Sequence, residues 1–407
     1  MAAIATTYIA IAYAGAVTFG FISLLGTLFM LIPFSDLGLG AAVVNSVSRR
    51  AEDAEREEIA LDVTRRALRA LIVVGIVVVV VAGILSAFSL WPSLLGIPQE
   101  FAGDANLAAF GVFCCVGAGI PFGLGQRLLV ADNRTHLSTL ISAITSIVSV
   151  GFTSAIALVA GPALLMAIAT PAGILVAGII ATFVARKRLG WTWRQLFAGP
   201  PTRQTLTESL WKPAVPMLIV MIGAPLALQS HRLILAHVGS SAELSEYAVA
   251  AQFYVPALSI VTTGALALWP QFARGRGQQG RNWGVSLLLM ALFGILGGVA
   301  LALLLAPVSL LVSGGRVIVG FPLAISFAIL LLVMSLHQPS AMLLTSTRGL
   351  WFQAVCMVAL AATSIPLGVL TTPLLGAVGP VASTAAAVAI TTLIPCIMYA
   401  RCVVLRG

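Results

Sequence analysis

Most polar side chains that could bind a ligand in this sequence stand inside, or at the ends of, long apolar segments. Arginine presents a planar fork of N–H donors that matches carboxylate and phosphate oxygens. Arginines and amides in such places predict anion binding, whereas a carboxylate or an imidazole there is a candidate for carrying a proton or a cation. The candidates for ligand binding are Arg127, Arg232, Arg348, Gln126, Gln229, Gln252 and Asn45. The candidates for ion coupling or for a hinge are Asp36, His337 and Pro33.

Enzymatic chemistry has no support in the sequence. It contains no Walker loop, no cluster with metal-ligand spacing and no nucleophile with a base at usable spacing. The five cysteines lie in or at the ends of apolar runs and form neither a zinc pattern nor a disulfide framework. We therefore expect no enzyme activity, no cofactor and no metal. Without a nucleotide-binding segment, transport by this chain would be passive or ion-coupled.

The elements that position these side chains are membrane helices. The 407 residues are 60% hydrophobic and only 9% charged, with a mean hydropathy of +1.07. A soluble domain carries roughly 25% charged residues, so most of this protein's surface faces lipid. The net charge of +9 does not cluster like a nucleic-acid-binding arm. We expect the bilayer, and no nucleic acid, as a partner.

About 20 apolar residues cross a bilayer, and the backbone in lipid must satisfy its hydrogen bonds as a helix. The sequence therefore predicts an all-α integral membrane protein with about 11 transmembrane helices. The predicted spans lie near 8–34, 68–90, 104–130, 138–159, 162–185, 212–235, 247–270, 284–307, 317–345, 353–371 and 380–400.

The basic residues orient these spans. Of the 22 Lys and Arg residues, 20 fall in one alternating set of connections, and the opposite set holds only Arg232 and Arg316. Basic connections stay in the cytoplasm. We therefore expect a multi-pass protein of the cytoplasmic (inner) membrane, with its N-terminus outside and its C-terminus cytoplasmic.

The longest polar stretch, 186–212, divides the chain into two halves that are candidates for a structural repeat. Aligning Tyr13 with Tyr247 makes span one the partner of span seven. The halves then hold five and six spans, as if the first helix of a 6+6 arrangement were missing through a misassigned start or a true loss. We predict an N-terminal lobe (1–189), a cytoplasmic connector (190–211) and a C-terminal lobe (212–407).

Several stretches are similar to one transporter family. They are PFSDLGLGAAVVNSVSRR (33–50), GIPFGLGQRLLVADNRTH (119–136), SEYAVAAQFYVPALS (245–259), ALWPQFARGRGQQGRNW (267–283) and HQPSAMLLTSTRGL (337–350). The chain resembles, over nearly its whole length, the polysaccharide flippases of the O-antigen and lipid-linked oligosaccharide branch of the multidrug/oligosaccharidyl-lipid/polysaccharide superfamily. The DLGLG-x-A-x-x-N and LWP-x-x-A-R-G motifs are the more specific part of this resemblance.

The resemblance implies twelve or more helices in two six-helix lobes. It also implies transport of undecaprenyl-diphosphate-linked sugars from the inner to the outer leaflet by alternating access, with a polysaccharide polymerase as a further partner. Two alternatives stay open: a cation-coupled multidrug or metabolite exporter of the same superfamily, and a remnant or scaffold that does not transport. Such exporters usually carry a carboxylate within a helix of each lobe, and no predicted span of the second half has one.

The cationic candidates each have two interpretations. Arg127 either receives the substrate pyrophosphate at the cytoplasmic end of span three or is an interfacial anchor, and Arg134 is more typical of an anchor. Arg232 either joins Gln229 and His231 in an outward polar patch or reaches outer headgroups. In the second case its partners would be the following acidic residues, Glu243 and Glu246.

The remaining candidates are also ambiguous. Asp36 is either an ion site or hinge partner, or a cap of the segment that begins at Leu37. Gln252 is expected near Gln229, and Pro256 predicts a kink after it. His337, in the inward half of span nine, is either a proton relay or satisfied by a neighbouring helix. The charged stretch 51–66 predicts a solvated helix extension.

Overall fold

The computed structural model describes residues 2–28, 39–48, 54–197, 211–266 and 279–406. Within these ranges every regular element is helical and none is a strand. The composition accounts for this result, because a helix satisfies its backbone hydrogen bonds internally and can face lipid on all sides. The predicted all-α membrane architecture is confirmed.

The helices of the first half follow the predicted spans, with short helices at their ends. They are α1 Ala2–Thr27, α2 Leu39–Ser48, α3 Ala54–Ala87, α4 Trp91–Leu95, α5 Ala102–Ala131, α6 Thr135–Ser142, α7 Ile144–Leu158, α8 Ala169–Leu189 and α9 Trp193–Phe197. Short 3₁₀ helices, Gln99–Phe101 and Ala163–Ile168, precede α5 and α8.

The second half contains five helices of 23 to 34 residues, most of them with internal prolines, and two shorter ones. They are α10 Trp211–Val238, α11 Ser241–Leu266, α12 Gln279–Val312, α13 Phe321–Leu343, α14 Thr347–Leu375, α15 Val378–Val388 and α16 Ile394–Arg406. A π-helical turn, Ala389–Leu393, joins the last two.

Among the described residues, ten helices are long and apolar enough to cross a membrane. They coincide with ten of the eleven predicted spans. The other predicted span, 212–235, corresponds to α10, which is helical over 28 residues but whose first side chains lie outside the described set. Helix α12 exposes Leu288, Leu296, Leu303 and Leu311, whereas half of the span in α13 is buried. This contrast identifies α12 as a lipid-facing helix and α13 as a central one.

Spatial clustering divides the chain into two compact units. The first contains residues 1–13 and 22–207, and the second contains 14–21 and 208–407. Helix α1 contributes to both, and it is interrupted at Gly15, whose φ of 83° and ψ of 167° are not helical. The predicted lobe boundaries and the cytoplasmic position of the connector stay predictions.

In the first unit, α5 packs between α3 and α8. Gly75 of α3 and Gly117 of α5 meet so closely that a Cβ on Gly117 would lie 2.6 Å from the Gly75 carbonyl oxygen. Small residues bring membrane helices together in this way because only they let two backbones approach.

The charged start of α3 corrects one expectation. The helix extends through this stretch from Ala54, and Glu57 and Glu58 are exposed as expected, but Asp62 and Arg65 are buried. Asp62 forms an ion pair with Arg66, in which its Oδ2 lies 2.7 Å from the Arg66 Nη2. The Arg65 Nε donates to the Gln195 carbonyl oxygen at 3.0 Å. The sequence does not show the burial of Arg65, because its hydrogen-bond partner lies on the distant helix α9.

In the second unit, α10 and α14 run side by side in the same direction. A Cβ on Gly223 would touch Met357, and one on Gly368 would touch Ile234. Both pairs differ by 134 residue numbers, which is the signature of parallel neighbours in constant register. This register allows any residue of α10 to be placed at a level on α14.

Candidate functional site

A run of polar side chains is buried near the end of α10, inside an otherwise apolar helix. Ser230, His231 and Arg232 follow one another, and His231 and Arg232 are only 2% and 5% exposed. A charged side chain in a membrane span is costly, so its position is a functional hypothesis by default.

Arg232 is held by a neighbour on its own helix and by a ring on the next helix. Its Nη1 donates to the Gln229 Oε1 at 2.8 Å, as the spacing of three residues permits. The guanidinium carbon lies 5.3 Å from the centre of the Tyr247 ring on α11. A cation over an aromatic face is stabilised by the ring's negative face. These contacts fix the direction of the arginine fork.

His231 ties three helices together. One ring nitrogen, Nδ1, lies 3.1 Å from the Tyr247 hydroxyl, and the other, Nε2, lies 2.7 Å from the Thr384 hydroxyl on α15. The His231 and Tyr247 rings meet edge to face at 5.6 Å. A neutral imidazole donates from one nitrogen and accepts at the other, so it can serve both hydroxyls. His231 thereby positions Tyr247 against Arg232.

An aromatic wall continues from Tyr247 toward the middle of α11. The Phe327 ring of α13 lies 5.5 Å from Tyr247 and 4.9 Å from Tyr254. Tyr254 is 5% exposed, and its hydroxyl has no hydrogen-bond partner within the described residues. Buried hydroxyls are ordinarily satisfied, so the Tyr254 hydroxyl is a group that a polar ligand could use.

The nearby carboxylates make other contacts. The Glu243 Oε2 accepts from the Ser240 backbone N–H at 2.7 Å, and the Ser240 hydroxyl accepts from the Glu243 N–H, so the two residues cap α11. The Glu246 Oε1 accepts from the Gly320 N–H at 2.7 Å. From residue 211 onward the sequence has no other carboxylate side chain. The arrangement is therefore suited to hold an anion.

The first-half candidates lie at the ends of helices. Arg127 is exposed four residues before the end of α5, and the Gln126 side chain donates to the Ser142 hydroxyl at 3.3 Å. Arg134 is exposed where α6 begins. Exposure leaves both interpretations of Arg127 open.

Arg348 and Arg232 are both in the second unit but lie far apart. Arg348 is exposed in the first turn of α14. The register between α10 and α14 places Arg348 level with residue 214, so the two arginines are separated by 18 residues, or about 27 Å along the helix axes. At this distance the two arginines cannot contact the same diphosphate.

The other polar candidates are spread along α11 and α13. Gln252 is half-buried on α11, five residues after Tyr247. His337 is 4% exposed, and its Nε2 has no hydrogen-bond partner among the described residues. Its neighbours Gln338 and Pro339 are also buried. The predicted proximity of Gln252 to Gln229 stays a prediction.

Three predicted residues cannot be placed. Pro33 and Asp36 fall outside the described residues, and Asn45 lies in α2 with a side chain that is not described. Among the residues that the structure describes, no group of three or more His, Cys, Asp or Glu side chains could hold a metal ion.

Sequence reasoning missed the contacts that build this cluster. In the sequence, Tyr247 stands out only through its alignment with Tyr13, and neither Thr384 nor Phe327 stands out. The two tyrosines differ in surroundings, since Tyr13 is 38% exposed and donates to the Gly161 carbonyl oxygen at 2.8 Å. The available signal for Tyr247 was its place across a short turn from His231, 16 residues away.

Comparison with known proteins gives one family and several solved structures that share one fold. The family described as polysaccharide biosynthesis protein matches residues 1–276. No curated protein sequence matches the chain.

Three solved membrane transporters share the fold. An inward-facing multidrug resistance MATE family transporter of the MOP superfamily has a TM-score of 0.77 at 12% identity, covering 100% of this chain and 94% of its own. The lipid II flippase MurJ, in an inward closed conformation, has a TM-score of 0.72 at 13% identity, covering 98% and 85%. A MOP superfamily transporter from Pyrococcus furiosus has a TM-score of 0.66 at 11% identity, covering 99% and 94%. At such identities the likeness shows the fold.

Proposed function

We propose, since this chain belongs to the polysaccharide biosynthesis protein family, that it is a flippase for lipid-linked sugars. It is a multi-pass membrane protein with the fold of the MOP superfamily transporters. The proposed activity is translocation of a lipid-diphosphate-linked oligosaccharide or polysaccharide precursor from the inner to the outer leaflet by alternating access.

The physical task explains which residues such a protein needs. The lipid tail of the substrate stays in the bilayer, whereas the sugar and its diphosphate require a polar path. Cations along that path stabilise the diphosphate, but each costs about 2.5–3.5 kcal/mol at the centre of a membrane helix on insertion scales. A flippase should therefore contain few buried arginines, each held in a defined direction.

The observation that carries the proposal is the buried guanidinium of Arg232, oriented by Gln229 and Tyr247. Because it is only 5% exposed, an anion would reach it after a local opening of the helices. A cation exporter would be favoured by carboxylates in this part of the chain. The two that follow residue 210 cap α11 and bind the Gly320 N–H instead.

Two further arginines would handle the diphosphate at other levels. Arg348 is separated from Arg232 by about 27 Å along the helices, which approaches the hydrocarbon thickness of about 30 Å. We assign Arg348 and Arg127 to substrate entry and Arg232 to the outward stage. Gln126, Gln229, Gln252 and the Tyr254 hydroxyl are the proposed contacts for the polar headgroup and sugars.

The test is reconstitution of the purified full chain in liposomes with a fluorescent lipid-diphosphate-linked oligosaccharide. Translocation is measured as the fraction of substrate that an impermeant reagent can modify. Arg232→Ala and Arg232→Lys should both lower the rate, since an ammonium lacks the planar fork needed for a bidentate contact. Arg281→Lys, at an exposed arginine of the same unit, is the matched control and should keep the wild-type rate.

Two results would overturn the proposal. Wild-type rates for both Arg232 variants would reduce this residue to an anchor. Transport of an organic cation by the wild-type protein, without any translocation of the lipid-linked sugar, would instead support the exporter.

A further inference from the structure

A basic and aromatic surface lies where α8 ends, beside α9 and α3, and the proposed translocation does not use it. Helix α8 ends with Arg186, Lys187 and Arg188 and is terminated by Gly190 in the left-handed conformation. Helix α9 begins three residues after Gly190. Because α8 is a membrane span, this surface lies at the level where the bilayer meets water.

The short helix α9 has a defined orientation in spite of its five residues. At its start, the Thr192 N–H donates to the Gln195 Oε1 at 2.7 Å, and the Gln195 N–H donates to the Thr192 hydroxyl at 3.2 Å. This reciprocal pair is a capping box. On α3, the Arg65 Nε donates to the Gln195 carbonyl oxygen at 3.0 Å and the Arg69 Nη2 donates to that of Phe197 at 3.2 Å. Both ends of α9 are therefore held.

Arg186 and Trp193 form the centre of the surface. The Arg186 Nη1 donates to the Trp191 carbonyl oxygen at 3.3 Å, and its guanidinium carbon lies 5.0 Å from the centre of the Trp193 ring. Trp193 meets Phe183 edge to face at 5.2 Å and stacks on Phe197 at 6.0 Å. The outer rings, Phe183 and Phe197, are about half exposed at 50% and 51%.

Exposed cations lie within a few residues of these rings along the chain. Lys187 and Arg188 stand on the last turn of α8, and Arg194 stands on α9. We define the α9 patch as Phe183, Trp193 and Phe197 with Lys187, Arg188 and Arg194. It combines an apolar face for acyl chains with three positive charges that are free to approach a headgroup.

We infer that the α9 patch binds the headgroup of an anionic phospholipid. Trp and Phe side chains of a helix at the membrane surface insert at the boundary between headgroups and acyl chains, and adjacent cations favour anionic over zwitterionic lipids. A soluble acidic partner would not explain the half-exposed Phe183 and Phe197. A bound lipid would hold α9 and the end of α8 against the bilayer surface.

The experiment is native mass spectrometry of the detergent-purified full chain titrated with phosphatidylglycerol or with phosphatidylcholine. Wild-type protein should bind phosphatidylglycerol more tightly. The triple variant Lys187→Gln, Arg188→Gln, Arg194→Gln should lose this preference, by about fivefold for each charge removed. The matched control removes three exposed arginines elsewhere, Arg281→Gln, Arg316→Gln and Arg401→Gln, and should keep the preference.

A second measurement locates the lipid. Brominated phosphatidylglycerol should quench tryptophan fluorescence more than brominated phosphatidylcholine does, and Trp193→Phe should abolish the excess. Equal binding of the two lipids by the wild type, or an equal loss in both triple variants, would overturn the inference. Neither measurement contains a lipid-linked sugar, so failure of the flippase proposal leaves this inference intact.

Discussion

His231 and Thr384 are 153 residues apart in the chain, and their side chains are hydrogen-bonded at 2.7 Å. The bond joins α10 to α15 and, through the other ring nitrogen of His231, to Tyr247 on α11. Tyr247 in turn lies against Arg232. The direction of the proposed substrate-binding arginine thus depends on a threonine near the end of the chain.

The first prediction tests this dependence. Thr384→Val should lower the free energy of unfolding by about 1–3 kcal/mol, because it leaves the buried Nε2 of His231 without its partner. Thr392→Val is the control, since Thr392 is equally buried but its hydroxyl bonds to the Val388 carbonyl oxygen of its own helical turn. Thermal unfolding in detergent measures both. Equal losses in the two variants would show that the contact between His231 and Thr384 has no special weight.

The second prediction separates two buried tyrosines by what their hydroxyls contact. Tyr247→Phe removes the hydroxyl that bonds to His231 and should destabilise the protein by about 1 kcal/mol or more. Tyr254→Phe removes a hydroxyl without a hydrogen-bond partner among the described residues, and should leave stability unchanged or raise it. If the Tyr254 hydroxyl contacts the sugar, the second variant will still translocate substrate more slowly. A stable variant with an unchanged rate would remove Tyr254 from the proposed path.

The third prediction concerns the interruption of α1. Gly15 has a backbone conformation that only glycine adopts readily, so Gly15→Ala should cost about 1–3 kcal/mol, although nothing within 4 Å blocks a Cβ. Gly151→Ala in α7 is the control, because that glycine is helical and its Cβ would also meet open space. Alanine there should be neutral or stabilising. A neutral Gly15→Ala in thermal unfolding would mean that α1 straightens without cost.

The fourth prediction tests the orientation derived from the charges. Cysteines introduced at Ser93 and Ala242, both exposed, should react with an impermeant thiol reagent applied outside intact cells. Ala242 is used instead of the nearby Ser240 because the Ser240 hydroxyl caps α11, and replacing it would remove that contact. A cysteine at Gln279 should react only after permeabilisation, as should the native exposed Cys402. The opposite pattern would reverse the assigned topology.

The sequence alone determined the membrane helices and the kind of chemistry open to their few charges. Ten predicted spans correspond to helices of sufficient length and apolarity, because a bilayer imposes one length and one composition on any segment that crosses it. Arg232 was identifiable from the sequence as one of two basic residues that break the charge bias. Its spacing from Gln229 also predicted their contact, since residues three apart share a helix face.

Only the tertiary structure decided which distant side chains complete each cluster. Thr384 and Phe327 join the Arg232 region through helix packing, which has no periodic signal in the sequence. For the same reason, the sequence does not show that Arg65 is buried, because its partner, the Gln195 carbonyl oxygen of α9, lies 130 residues away. Helical periodicity links residues within a few turns, whereas the burial of a polar group depends on a partner that can lie anywhere along the chain.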